Sequence, residues 1–189
     1  MPLEGKSVVL REQRREDLPF LQSLQNDMEV QAWSKALPPD YTDVMYAKRY
    51  DAREFSYDPE EARFVIVHKE TGELIGHISY SDLERRFSAH LGIMTARKFW
   101  GTGAAFDAQE TMLRFLFCEV GVRVVRLFTH SGIPRAVRLA ERAGFQVSAQ
   151  IRQANIKYGQ LNDTLVMDIL REEYFARHPE LTDALPPLF

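Results

Sequence analysis

The segment Leu91-Gly-Ile-Met-Thr-Ala-Arg-Lys-Phe-Trp-Gly-Thr-Gly-Ala-Ala105 carries three signals in a row. Residues 88–95 read as a strand. Trp100-Gly-Thr-Gly103 reads as a turn, because two glycines so close together supply backbone conformations that other residues avoid. Ala104 and Ala105 then open a helix whose apolar stripe is Ala105, Ala108, Met112 and Phe115. Small residues let an anion come close to the backbone. The first free N–H groups of the helix point at that anion, and the helix dipole favours it. The physics predicts a phosphate or pyrophosphate site. Close packing of small residues explains the same pattern without a ligand. The spacing is not a Walker A loop, since no Gly-Lys-Ser/Thr follows, nor is it Gly-x-Gly-x-x-Gly.

Upstream, Lys6-Ser-Val-Val-Leu-Arg11 reads as a first strand, and Leu18, Leu21 and Leu24 recur at helical spacing after it. Residues 28–36 suggest a second short helix. A third runs from a cap at Thr42 towards Tyr57. Arg63-Phe-Val-Ile-Val-His68 and Leu74-Ile-Gly-His-Ile-Ser-Tyr80 are compact apolar runs. The turn Lys69-Glu-Thr-Gly-Glu73 between them predicts a hairpin. Downstream come a strand at 122–130, a helix from Pro134 to Gly144, and strands near 145–152 and 161–170. The last dozen residues, with three prolines, are expected to be irregular. This order predicts an α+β fold, in one domain spanning 1–189.

The chain has 189 residues, with 24 Lys+Arg against 27 Asp+Glu and a net charge of −3. That balance offers no footprint for nucleic acid. No run of membrane-spanning length is free of charge. The N-terminus has no signal-peptide core, and the one cysteine cannot form an internal disulfide. These features predict a cytoplasmic protein with no membrane partner. No Cys/His cluster has metal-ligand spacing, so no metal is expected.

Trp100-Gly-Thr-Gly-Ala-Ala105 resembles the acyl-CoA pyrophosphate loop of the GNAT superfamily of N-acetyltransferases. The closer resemblance is to the RimJ/RimL-like branch, which acetylates ribosomal-protein N-termini. Further pieces match along the chain: Val9-Leu-Arg11 with Asp17-Leu18, Gly72-x-x-Ile-Gly76, Leu91-Gly92, Glu141-Arg-Ala-Gly-Phe145, and Asp163 before a strand ending Leu170-Arg-Glu-Glu173. The resemblance implies a mostly antiparallel sheet of about seven strands, splayed between the fourth and fifth, with helices on both faces. It implies acetyl-CoA as co-substrate. Trp100, Gly101, Thr102, Gly103, Ala104 and Ala105 would form the pyrophosphate loop, while the strand at Met94 and Thr95 would pair with the pantetheine arm. The acceptor would be a primary amine, on a small molecule or a protein N-terminus. Dimers are common in the family, so a homodimer is among the expectations.

Three positions depart from the pattern. Ile133 and Ala136 stand where relatives usually carry Asn and Ser, and Ala140 stands where other branches carry a Tyr that protonates the departing thiolate. No general acid follows from the motif. Two functions therefore stand side by side: an acetyl-CoA-dependent N-acyltransferase, and a non-catalytic acyl-CoA-binding protein that lost its acid–base residues.

An attacking amine must shed a proton, because its protonated form has no lone pair. His90, two residues before the Gly of Leu91-Gly92, is the candidate base. Relatives often carry Glu there, and an imidazole titrates near neutrality. A histidine satisfied by a neighbour on a half-buried strand is the plainer reading. His130 is expected in a loop, His77 in the hairpin, and His68 and His178 in a turn and the tail. Cys118, within Phe-Leu-Phe-Cys, reads as a small hydrophobe rather than a nucleophile. The aromatics Trp33, Tyr41, Tyr46, Tyr50, Phe55 and Tyr57 would border the acceptor groove or simply pack. Asp40, Asp43, Asp51, Glu54 and Asp58 among them would draw a cationic acceptor or form a solvated face.

Overall fold

A computed structural model describes residues 2–31, 42–54, 60–84, 86–157 and 159–184. In chain order the elements are β1 (Leu3–Glu4), β2 (Val8–Glu12), α1 (Leu18–Asn26), α2 (Met28–Gln31), α3 (Asp43–Glu54), β3 (Ala62–His68), β4 (Leu74–Glu84) and β5 (Ser88–Thr95). They continue with α4 (Ala104–Arg114), β6 (Val124–His130), α5 (Pro134–Arg142), β7 (Gln146–Lys157), β8 (Gln160–Leu170) and α6 (Arg171–Arg177). The strands form one sheet in the order β1-β2-β3-β4-β5-β6-β8-β7. Every neighbouring pair is antiparallel except β5 and β6. The α+β expectation holds, with helices on both faces and eight strands rather than about seven.

The faces follow from strand alternation. Ile66, Ile78 and Leu91 point into the larger core, with Ala108, Met112 and Leu113 of α4. Val65 points the other way, into a smaller core with Leu18, Leu21 and Leu24 of α1 and Tyr46 of α3. The extra strand is β1, two residues long, whose Leu3 pairs with Leu10. A ladder that short leaves no periodicity to read.

Helix α4 does not end at Arg114 but widens into a π-helix over Phe115–Val120, closed by Gly121 at φ +79°. The Gly121 N–H donates to Leu116 O at 2.9 Å, five residues back. The guanidinium of Arg171, buried behind this wide turn, donates to Phe117 O at 2.7 Å.

Ahead of the expected irregular tail, Arg171–Arg177 is helical; within the tail the expectation is overturned in part, because Pro179–Ala184 forms a 3-10 helix, and residues 185–189 lie outside the described set. Glu173 is the reason for the first. Its carboxylate accepts the Leu170 N–H at 2.9 Å, as an acid three residues into a helix does. Pro179 explains the second, since a first helical position needs no N–H. Strand β7 runs five residues past its expected end at 152. Asp163 holds the overrun by accepting the Gln153 N–H at 2.7 Å across a bulge.

Candidate functional site

Strands β5 and β6 pair in parallel over three rungs only: Ser88 with Val124, Ala89 with Val125 and His90 with Arg126. Beyond His90, β5 keeps β4 as its neighbour out to Gly76 opposite Thr95. β6 keeps β8 out to His130 opposite Thr164. The two strands part there, and among the described residues no strand pairs with residues 91–95 on the side of the gap. Ala96 donates its N–H to Ile75 O at 2.9 Å. Alternation then turns the peptide groups of Ile93 and Thr95 towards the gap and those of Met94 towards β4. The side chain of Met94 packs with the α1 cluster. Part of the edge is taken, because the Trp100 indole Nε1 donates to Thr95 O at 3.1 Å.

The glycine turn closes the end of this gap. Gly101 (φ +82°) and Gly103 (φ +91°) both lie in the left-handed region, and a Cβ on either would meet nothing within 4 Å. The glycines thus serve a backbone shape and face open space; they are not packed against a neighbour. The Ala104 N–H leans on Thr102 Oγ1 at 3.4 Å, and Asp107 N–H closes the first helical turn on Gly103 O at 3.0 Å. Among the described residues no acceptor engages the N–H groups of Gly101, Gly103, Ala105 and Phe106. Four main-chain donors at the N-terminus of α4 fit an anionic group such as a pyrophosphate. On the flanks Lys98 pairs with Glu73, and Arg97 Nε with Asp27 at 2.9 Å.

Asp107, one turn into α4, faces the opposite way. Its carboxylate accepts from the N–H groups of Lys6 (2.9 Å), Ser7 (2.6 Å) and Val8 (3.1 Å) and from Ser7 Oγ (2.9 Å). Burial raises its pKa, but these hydrogen bonds outweigh burial and leave it below the usual carboxylate value. Asp107 therefore staples the β1–β2 turn to the helix that carries the loop.

Helix α5 starts on the far side of the gap, and it supplies a residue the sequence reading missed. The Arg135 guanidinium sits 3.3 Å from the centre of the Trp100 ring. Desolvation lowers its pKa, opposed by the Glu29 carboxylate. Lys157, at the end of β7, is lowered by burial and by Arg135 and raised by Glu29. A signal for Arg135 does exist in the sequence. It is a cation in the first turn of a helix, where the dipole disfavours one unless an anion is near.

His90 sits on the last shared rung. Its Nδ1 lies 3.1 Å from Asp82 Oδ2, and its ring meets Phe128 edge-on, with centroids 5.1 Å apart. His77 lies in the hairpin as expected, whereas His68 is the last residue of β3 and not in a turn. His130 ends β6 and is not in a loop, and His178 Nε2 reaches Glu110 at 3.1 Å. Ile133 and Ala140 are buried, Ala140 within the larger core, so those positions pack. Burial pushes the Cys118 thiol up, which disfavours a nucleophilic thiolate. Tyr46 and Tyr50 pack with the α1 cluster, and Asp51 pairs with Arg15. Trp33, Asp40, Tyr41, Phe55, Tyr57 and Asp58, and the side chain of Glu54, lie outside the described residues. Among the described residues no group of three or more His, Cys, Asp or Glu could hold a metal ion, and no helix is long and apolar enough to cross a membrane.

Residues 7–146 match the acetyltransferase (GNAT) domain family. The chain is 25% identical to an uncharacterized N-acetyltransferase, p20, of Bacillus licheniformis over 91% of this chain and 97% of that one. It is also 25% identical to the spermidine N(1)-acetyltransferase of Escherichia coli K12, over 91% and 90%. In fold it is similar to the spermidine N-acetyltransferase of Vibrio cholerae solved with CoA and spermine. There the TM-score is 0.81 and the identity 24%, covering 90% of this chain and 99% of that one.

Proposed function

Since the chain belongs to the acetyltransferase (GNAT) family, we propose that its acetyl-CoA-dependent N-acetyl transfer runs in the gap between β5 and β6, on a small aliphatic polyamine. The observation that carries the site is the halt of the β5–β6 ladder at His90 beside a glycine turn with unengaged N–H donors. A protein that only binds acyl-CoA does not account for the family membership and named relatives together.

Acetyl-CoA supplies an acetyl thioester. The N–H groups of Gly101, Gly103, Ala105 and Phe106 hold its pyrophosphate, helped by the dipole of α4. The edge of β5 at Ile93 and Thr95 pairs with the pantetheine arm, with Met94 backing that strand through its side chain. The same edge polarises the thioester carbonyl, as donors aimed at a developing oxyanion do. The amine enters on the His90 side. Its nitrogen bonds to the carbonyl carbon, its proton passes to His90, and the C–S bond breaks with its electron pair on sulfur. A thiol titrates near 8.5, so the sulfur leaves without a dedicated acid. That removes the need for a Tyr at Ala140.

The RimJ/RimL-like resemblance of Trp100 to Ala105 concerns how the co-substrate is held. For the acceptor, the relative that carries a substrate in its name and spans both chains is a spermidine acetyltransferase. This favours a polyamine over a protein N-terminus. The test is calorimetric titration with acetyl-CoA and CoA, followed by turnover on spermidine, spermine and an N-terminal peptide. Saturable binding with turnover on the polyamines supports the reading, and turnover on the peptide alone overturns the acceptor. His90→Ala should lose turnover while still binding acetyl-CoA; unchanged turnover removes His90 from the reaction.

A further inference from the structure

We propose that Asp82 is the positioning residue for the base, an inference that rests on the reading of His90 given above. The register of β4 on β5 is regular up to Ser81 opposite His90, and resumes with Glu84 opposite Ser88. Three steps on β4 match two on β5, so β4 carries one extra residue there. Such a bulge re-aims a side chain. Asp82 lies in it at φ +50°, in the left-handed region that Asp and Asn tolerate better than most residues. The outcome is a carboxylate turned back on its own sheet. Asp82 Oδ2 stands 3.1 Å from His90 Nδ1 and accepts from Ser81 Oγ at 3.0 Å.

The imidazole is held from two sides, by Asp82 at Nδ1 and by the Phe128 ring at 78° to its plane. A carboxylate can only accept, so a neutral ring beside it carries its proton on Nδ1. Nε2 is left with the lone pair, and among the described residues no hydrogen bond engages it. That is the form that can take a proton from an amine, at the root of the gap where β5 and β6 part. Across the last β5–β6 rung the partner of His90 is the cationic Arg126, which stands opposite Asp168 of β8. A strained acidic residue at an exposed strand end has no packing reason to be there. Orientation of His90 supplies one.

The test separates backbone from carboxylate. Asp82→Gly keeps a left-handed conformation at no steric cost and removes the carboxylate. Asp82→Asn keeps the conformation and an acceptor oxygen. In Asp82→Gly, kcat should fall about ten- to a hundred-fold, a share of the usual worth of general base catalysis, with KM for both substrates nearly unchanged. The ¹⁵N shifts of the His90 ring should report a proton on Nδ1 in the wild type and on Nε2 in Asp82→Gly. Asp82→Asn should recover part of both readouts. If His90→Ala loses turnover while Asp82→Gly keeps kcat and the Nδ1–H form, the positioning role is overturned and the base stands. If His90→Ala keeps its turnover, the base falls and the role of Asp82 with it.

Discussion

The guanidinium of Arg135 lies 3.3 Å from the centre of the Trp100 ring, and the indole N–H of the same Trp100 is donated to Thr95 O. One side chain thereby joins the end of β5, the glycine turn and the first turn of α5 across the mouth of the gap. A guanidinium stacks on an aromatic face through its plane and carries its charge with it. It stands beside a loop built for an anion.

Arg135→Ala should weaken acetyl-CoA binding by about ten-fold, in the range of a charged hydrogen bond to phosphate. Arg135→Lys should recover only part, since an ammonium does not stack on an indole as a guanidinium does. Titration calorimetry with CoA and with dephospho-CoA checks this; equal losses for the two place the contact at the pyrophosphate. Unchanged affinity would make the stack a purely structural clasp.

Gly103→Ala puts a Cβ where nothing lies within 4 Å, but at φ +91°. The strain of a left-handed alanine is about 1–2 kcal/mol, so the protein should fold with a small drop in Tm. The space is open to a ligand, however, and acetyl-CoA affinity should fall more than the strain accounts for. Gly121→Ala is the control, with φ +79° and equally open surroundings at the far end of α4. It should cost similar stability and leave binding alone. Equal affinities in the two variants would move the anion site elsewhere.

What the sequence made legible follows the range of each cause. Strand β5 and the turn at 100–103 are local, and residues 88–95 form a strand with the expected bounds because apolar alternation and glycine spacing act over a few residues. The parting of β5 and β6 has no mark in residue type; only the family resemblance placed it. Asp82 was out of reach, because a bulge exists only in the register of two strands. Arg135 and Trp100 stand 35 positions apart and meet only once α4, β6 and α5 are folded. The π-helix at Phe115–Val120 escaped because an apolar stripe does not say which carbonyl each N–H takes. Glu173, three residues after Leu170, was a readable cap for α6, and reading the segment as a strand end hid it.

Gly76→Ala should be the most damaging small change to the sheet. The added Cβ would stand 2.0 Å from Met94 O and 2.8 Å from Thr95 Cα. Both are backbone atoms, so no rotamer relieves the clash, and β4 must part from β5. A loss on the order of 3 kcal/mol is expected, at the upper end for overpacking. Because the displaced strand is the edge of the gap, acetyl-CoA binding should weaken as well. Urea unfolding and calorimetry read the two effects, and a wild-type midpoint would mean that the ladder slides without cost.

Acid should loosen the N-terminal half of the sheet first. Asp17, its side chain 2% exposed, takes two hydrogen bonds from Arg11, at 2.7 and 2.8 Å, and one from the Arg14 N–H at 2.8 Å. Burial raises the pKa of Asp17, but Arg11 and the Arg14 N–H outweigh it, and the net direction is down; Asp107 is lowered in the same way. A carboxyl with a depressed folded pKa gives stability that is fully present above its unfolded pKa of about 3.9. That stability is lost as pH falls through the folded value, so both groups act below about pH 4. Asp17→Asn leaves Arg11 half-buried without its partner, and should cost about 3 kcal/mol at pH 7, the lower end for breaking a buried pair. At pH 3 the carboxyl is largely protonated in the unfolded chain, so part of this stability is already lost and the gap between the two proteins should narrow. Urea midpoints at pH 7 and pH 3 measure it. A gap that stays constant across that range would mean that Asp17 contributes through its shape and neutral hydrogen bonds, and that its charge is not what holds β2 to the start of α1.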